Sequence, residues 1–395
     1  MTACQSDLNK EDTPAEKSET VTQLQEKDKA IAGQTNVFAF RLLQTVTKNE
    51  EADRNIVISP ISASLALGML NNGAGGQTQK EIQQVLMNNA DLSKEELNEF
   101  FRRMMSTAQQ ADASISLGNA NSIWIDPSFP VLDAFVKVNN EWYGAEVRNE
   151  NLSDMATVQL INDWCSAHTN GMISEIIDKP SDALLMLINA LYFKGAWTVP
   201  FEKEDTKDEI FHNGDRSDTA VPTMQIESSF NYSREETFDL LELPYGNESF
   251  SFNILLPHKD VPLSSVIEGL NAEKWAQSLS HLRGSKLAVK LPRFSIEYGK
   301  DLLGDITSLG VNLSEGADFS LINPTVPLSV DQILQKTSVE ITEEGSEAAS
   351  VTLVTVLTSP GEPTTTSFYV DRPFLFIIKE KICDAIFFIG AIRNL

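Results

Sequence analysis

The chain is poor in the residues that most chemistry requires. It holds only three cysteines, Cys4, Cys165 and Cys383, too few and too scattered for a disulfide framework or a zinc site. Cys165 and Cys383 read as small core or surface residues. Its four histidines, His168, His212, His258 and His281, have no second His or Cys at metal-ligand spacing, so neither a metal nor another cofactor is expected. No Gly-x-Ser-x-Gly elbow presents a nucleophile, and among 56 acidic residues no carboxylate pair stands out as acid and base. The sequence does not read as an enzyme. Basic residues are also scarce: 31 Lys and Arg against 56 Asp and Glu leave a formal charge of -25, which repels phosphate backbones and anionic lipid. No Lys/Arg cluster with interleaved aromatics compensates, so nucleic acid is excluded as a partner. No uncharged apolar run approaches the roughly 18–20 residues of a membrane-spanning helix. Gly73-Ala74-Gly75-Gly76 precedes a helical pattern but lacks the following Lys-Ser/Thr of a phosphate cradle, so it reads as a tight turn.

What is present is a large globular core. Of 395 residues, 42% are hydrophobic. Residues 1–32 stand apart: from Gln5 to about Ala32 the chain is rich in Glu, Asp, Lys, Gln, Thr and Ser and reads as a flexible tether. Met1-Thr2-Ala3-Cys4 is open to two readings. Either it is the end of a bacterial lipobox, with Cys4 as a lipid anchor and the spacer holding a folded domain off a membrane, or it is four residues without meaning. The first places the protein outside the cytoplasm as an outer-membrane lipoprotein; otherwise it is secreted. From Asn36 helical periodicity begins with Val37, Phe40, Leu43 and Val46. A second helix, Ser62 to Asn71, is apolar on nearly all sides and therefore buried, and a third runs from Thr78 to Met87. Later segments are short and β-branched or aromatic: Leu184–Phe193, Ser251–Leu256, Leu287–Leu291, Phe368–Val370 and Phe374–Ile378 read as strands. Helices early and strands late suit an α+β fold.

Between strand candidates at Ser338–Ile341 and Phe368 lies an unusual stretch. Gly345, Ser346, Glu347, Ala348, Ala349 and Ser350 are mostly small, and Val351 to Thr358 has no charge, Pro or Gly, as in a segment ready to pair as a strand. Composition leaves two readings open: another core strand, or a loop able to enter a sheet with its small residues first. The face Ser346, Ala348, Ser350, Thr352, Val354, Val356 grades from small to apolar, as the second reading needs.

This stretch and several ordered motifs resemble the serpin family. Asn55-Ile56-Val57-Ile58-Ser59-Pro60, Ile161-Asn162-Asp163-Trp164 with Thr169-Asn170-Gly171, and Ile188-Asn189-Ala190-Leu191-Tyr192-Phe193-Lys194-Gly195 are similar to serpin signatures. So are Val221-Pro222-Thr223-Met224, Leu291-Pro292-Arg293-Phe294 and Arg372-Pro373-Phe374. The resemblance covers residues 33–395 in order. It implies about nine helices around three β-sheets and a reactive-centre loop at about residues 343–366. It implies a monomer that traps serine proteases as a suicide substrate, and leaves open whether cysteine proteases are trapped as well. The loop is cleaved, an acyl-enzyme forms, and the loop enters the main sheet. The alternative is a non-inhibitory member acting as a binding or carrier protein; a hinge free of bulk and proline favours inhibition.

Carried over by position, Gly345 to Ser350 match the hinge, and Ser59, Ser62 and Asn189 match a polar shutter beneath the sheet. Gln335 stands where the family usually has histidine, and an amide does not titrate near neutrality, so no pH-sensing shutter is expected. Trp197 matches the breach, where insertion starts. Counting seventeen residues from Glu343 gives Ser359, but Pro360 follows it, so the scissile bond is assigned to Thr358–Ser359, with Leu357–Thr358 as runner-up. No Lys or Arg occurs from Thr337 to Asp371, which points away from trypsin-like and toward elastase-like targets.

Overall fold

The computed structural model describes residues 14–88, 92–345 and 365–395, with side chains from Asp28 onward. Nine α-helices occur among them. Helix α1 (Pro14–Asn49) buries Phe38, Leu42, Leu43 and Val46. It begins well ahead of Asn36, so the segment read as a tether is helical from Pro14. Its last residues are fastened to the body by Asp28–Arg103 and Lys29–Asp384 pairs, both at 2.8 Å. Charge pairs rather than apolar spacing hold this end, which is why composition suggested a tether. Helix α2 (Pro60–Gly73) is buried along its whole length. The Ser59 hydroxyl caps it by accepting from the Ser62 amide, and Pro60 fills the first turn, where a missing N–H costs nothing. Helices α3 (Gly76–Met87) and α4 (Lys94–Gln110) follow, α4 opened by a Ser93/Glu96 capping box. Then come α5 (Asp133–Tyr143), α6 (Met155–His168), α7 (Leu263–Gly269), α8 (Ala272–His281) and α9 (Leu303–Ser308). No described helix is long and apolar enough to cross a membrane.

Fourteen strands form three sheets among the described residues. They are β1 (Ile56–Ile58), β2 (Ile115–Ile125), β3 (Glu146–Asn149), β4 (Leu185–Gly195), β5 (Lys207–His212), β6 (Asp218–Arg234) and β7 (Phe238–Tyr245), then β8 (Phe250–Pro257), β9 (Arg283–Pro292), β10 (Phe294–Asp301), β11 (Leu334–Ile341), β12 (Thr366–Tyr369), β13 (Phe374–Glu380) and β14 (Ile386–Ile392). The largest sheet runs β1-β14-β13-β8-β7-β6-β9-β12, with β5 on the edge of β6. Its strands β8, β13 and β14 are buried on both faces, which explains their unbroken apolar sequences. The expected strands fall on β4, β8, β9, β11, β12 and β13, with shifted ends. A three-stranded sheet, β3-β2-β4, and a two-stranded one, β10-β11, complete the set.

Strand β4 separates two cores. Leu191 and Phe193 join the main core, with Leu185 and Leu187 packed against it. The alternate residues Met186, Ile188 and Ala190 join a smaller core with Val158, Ile161 and Trp164 of α6. Helix α6 therefore covers the outer face of β2 and β4.

The end of α1 is tied to β10 through Glu50, which accepts from the Tyr298 hydroxyl at 2.6 Å, Arg54 at 3.1 Å and Lys300 at 3.3 Å. Burial pushes this carboxyl up, but the donors from Tyr298, Arg54 and Lys300 prevail and hold it at about 2, below its ordinary 4.5. A depressed carboxylate contributes stability that is complete above pH 4.5 and declines as pH falls toward 2. Glu50→Gln is expected to make the fall in urea midpoint over that window shallower than in the parent chain; an unchanged slope would contradict the assignment.

Candidate functional site: an open seam between β4 and β11

Strand β4 pairs with β2 along its whole length, and β11 pairs with β10 from Leu334 to Ile341. No ladder joins β4 to β11 among the described residues, although Leu334 of β11 packs against the core under α6. The two strand edges therefore form a seam, closed only at its upper end. There the Trp197 amide donates to Glu344 O at 3.0 Å and the Phe201 amide to Glu343 O at 2.9 Å.

Trp197 is the clasp of that end. Its ring stacks on Tyr245 with centroids 4.4 Å apart and planes 9° apart, and its indole N–H donates to Thr342 O at 2.9 Å. Glu343 is buried, accepting from Thr206 Oγ1 at 2.8 Å and lying 3.7 Å from Arg293, while Glu344 pairs with Lys203 at 2.6 Å. After β11 the chain reverses. Gly345 N donates to Thr342 O at 3.1 Å, and Thr342 N and Oγ1 donate to Gly345 O at 2.9 and 2.6 Å. Gly345 has φ +116° and forms an antiparallel bridge to Ala196; a Cβ there would stand 2.2 Å from Gly195 O, so only glycine fits.

The residues matched to the shutter divide into two groups. On the β11 side, Gln335 is bound reciprocally to Ser59: Ser59 N donates to Gln335 Oε1 at 2.9 Å and Gln335 Nε2 to Ser59 O at 2.8 Å. Ser59 Oγ also donates to Phe387 O at 2.8 Å and accepts from the buried Ser62 amide. On the other side Asn189, 4% exposed, turns its NH2 toward β2, donating to Asn121 Oδ1 at 2.6 Å and Asn119 Oδ1 at 2.8 Å. Asn121 in turn donates to Tyr143 O, and the Tyr143 hydroxyl to Asn98 on α4 at 2.8 Å. Complete burial pushes the Tyr143 phenol far up, so it remains a donor at any physiological pH. The Asn189 Oδ1 atom is buried without a partner. Sequence reasoning missed Asn119, Asn121 and Tyr143; the available signal is two amides at i, i+2 on a strand face otherwise made of Ile115, Leu117, Ile123 and Ile125.

Ser346, Glu347, Ala348, Ala349, Ser350, Leu357, Thr358, Ser359 and Cys4 lie outside the described residues. Cys165 and Cys383 are buried free thiols, each pushed up to about 12 by burial, Cys383 also by nearby carboxylates.

A family model described as serpin (serine protease inhibitor) matches residues 33–395. The chain belongs to the serpin family. Among its relatives, Iripin-2 of Ixodes ricinus is 32% identical over 369 residues, covering 91% of this chain and 92% of the relative. Plasminogen activator inhibitor 1 of Neovison vison is 31% identical, covering 90% and 91%. The native structure of the thermophilic serpin Tengpin superposes with a TM-score of 0.83 at 28% identity, covering 92% of this chain and 94% of that one. The α+β serpin fold is thus established, and serpins are generally protease inhibitors rather than catalysts.

In this serpin Gln335→Leu removes the side chain that, among the described residues, meets both the amide and the carbonyl of buried Ser59. The variant is expected to lose about 2–3 kcal/mol, read as a lower urea midpoint at unchanged slope. A midpoint equal to that of the parent would show that water or backbone replaces the amide.

Proposed function

We propose that this serpin inhibits serine proteases as a suicide substrate, using the segment after Gly345 as bait. The protease serine Oγ attacks the Thr358 carbonyl, the bond to Ser359 breaks, and the new amine leaves with a proton from the protease histidine. Thr358 is then held as an ester on the protease. The observation that supports this reading is the seam itself: two unpaired strand edges, with the chain at Gly345 already reversed and bridged antiparallel to Ala196. A strand formed by the freed segment would complete both edges. A dozen or so residues at about 1 kcal/mol of net hydrogen bonding each, with Val and Leu burial added, supply on the order of 10 kcal/mol. That is enough to carry an acylated protease and distort its active site.

Gln335 and Ser59 would hold β11 while Asn189 stays with β2 and β4, so that the seam widens between them as the strand enters. Trp197 and Gly345 set the point of entry. Target choice rests on the cation-free run from Thr337 to Asp371: a trypsin-like pocket has nothing to grip, and threonine suits a shallow apolar one.

Incubation with pancreatic elastase is expected to give an SDS-resistant covalent complex and a released C-terminal peptide beginning at Ser359, by mass. Trypsin should give none. Thr358→Arg is expected to reverse that preference. Cleavage by elastase without complex would refute the inhibitory reading, and a complex with trypsin but not elastase would refute the specificity.

A further inference from the structure

We infer that the part of α1 ahead of Gly33 is a strap, hinged at that glycine and held shut by two ion pairs, whose opening rises with ionic strength and uncovers the turn between β13 and β14. The inference is separate from the bait segment and from the seam. Its first support is the hinge. Gly33 lies well inside α1, where glycine costs helical stability relative to alanine, and a Cβ at this position would meet no atom within 4 Å. No close packing therefore calls for a glycine there. Two residues on, the Thr35 hydroxyl donates to Ala32 O at 2.8 Å, a local bond to the main chain that competes with the helical ladder. Both features weaken α1 at one point.

The two sides of that point are held in different ways. After it, Asn36 fastens α1 reciprocally to the turn, its Nδ2 donating to Asp384 O at 2.8 Å and its Oδ1 accepting from the Ile386 amide at 3.1 Å, and Phe38, Leu42 and Leu43 sit in the core. Ahead of it, apolar contact among the described side chains is limited to Ile31 and Ala32. Asp28 and Lys29 hold the strap through charge. Asp28 Oδ1 meets Arg103 of α4 at 2.8 Å, with Glu99 also on Arg103 at 2.5 Å, and Lys29 Nζ meets Asp384 Oδ2 at 2.8 Å. Asp384 keeps a second partner, the buried Lys379 at 2.7 Å, so it remains anchored when Lys29 departs. The Lys29 side chain is 55% exposed, so dissolved ions reach and screen its pair. Against the strap, in the β13–β14 turn, lies Cys383, 4% exposed. Burial pushes its thiol up to about 12, and the charges of Asp28 and Lys29 act on it in opposite senses, Asp28 upward and Lys29 downward. Opening at Gly33 removes both charges and admits water, which makes this thiol a reporter of the strap.

The test follows alkylation of the intact protein by N-ethylmaleimide, with the modified cysteines identified by peptide mass. Cys165, a buried thiol in the core under α6, is the internal control for general unfolding. Raising NaCl to about 0.5 M is expected to speed labelling of Cys383 about threefold while that of Cys165 stays unchanged. Lys29→Ala should give the faster rate already at low salt and respond less to added salt. Gly33→Ala, which has room for its methyl group, should slow Cys383 labelling about fivefold. Rates of the two cysteines that rise together, or a Cys383 rate that either salt or Gly33→Ala leaves unchanged, would overturn the inference.

Discussion

Everything in this molecule is arranged around two strand edges that face each other without a ladder. β4 is joined to β2, β3 and α6 by pairing and a shared core, and β11 to β10, which is tied to Glu50. A sheet edge is ordinarily paired, covered or charged, because free N–H and C=O groups invite another strand. Here the edges face each other within the protein, and the proposed bait segment has a composition suited to fill them. The hydrogen bonds that hold each unit together run away from the seam: Gln335 to Ser59 on one side, Asn189 to Asn119 and Asn121 on the other.

At the upper end the chain after β4 is bonded to the chain after β11. Trp197, Thr342 and Glu343 make the bonds that close it, and Gly345 is bridged antiparallel to Ala196. The acidic pair does opposite work at one spot. Glu343 is buried with Thr206 and Arg293, whereas Glu344 reaches outward to Lys203. A side chain at position 345 would strike the Gly195 carbonyl, so this turn takes a residue that has none.

Much of this was legible before any coordinates. The family resemblance came from ordered motifs, and β8, β13 and the core-facing part of β4 announced themselves through β-branched and aromatic runs. Helix α2 was legible because its apolar residues surround it. The part of α1 ahead of Asn36 was not, since Lys29 and Asp28 are held by partners more than 70 residues away in sequence, and local composition cannot show such pairs. Nor could position alone separate the shutter. Ser59, Ser62, Asn189 and Gln335 were grouped by resemblance, yet three of them sit on one side of the seam and Asn189 on the other. The Asn119–Asn121 pair that claims Asn189 depends on the β2–β4 register, which only the fold supplies.

The central claim is that the seam stores free energy that the bait segment releases on entering it. Guanidinium unfolding of the intact chain and of chain nicked once within residues 351–359 measures this directly. The account predicts a markedly higher midpoint for the nicked form, since insertion adds a strand to both edges. Equal midpoints, or a lower one after nicking, would mean that nothing enters the seam.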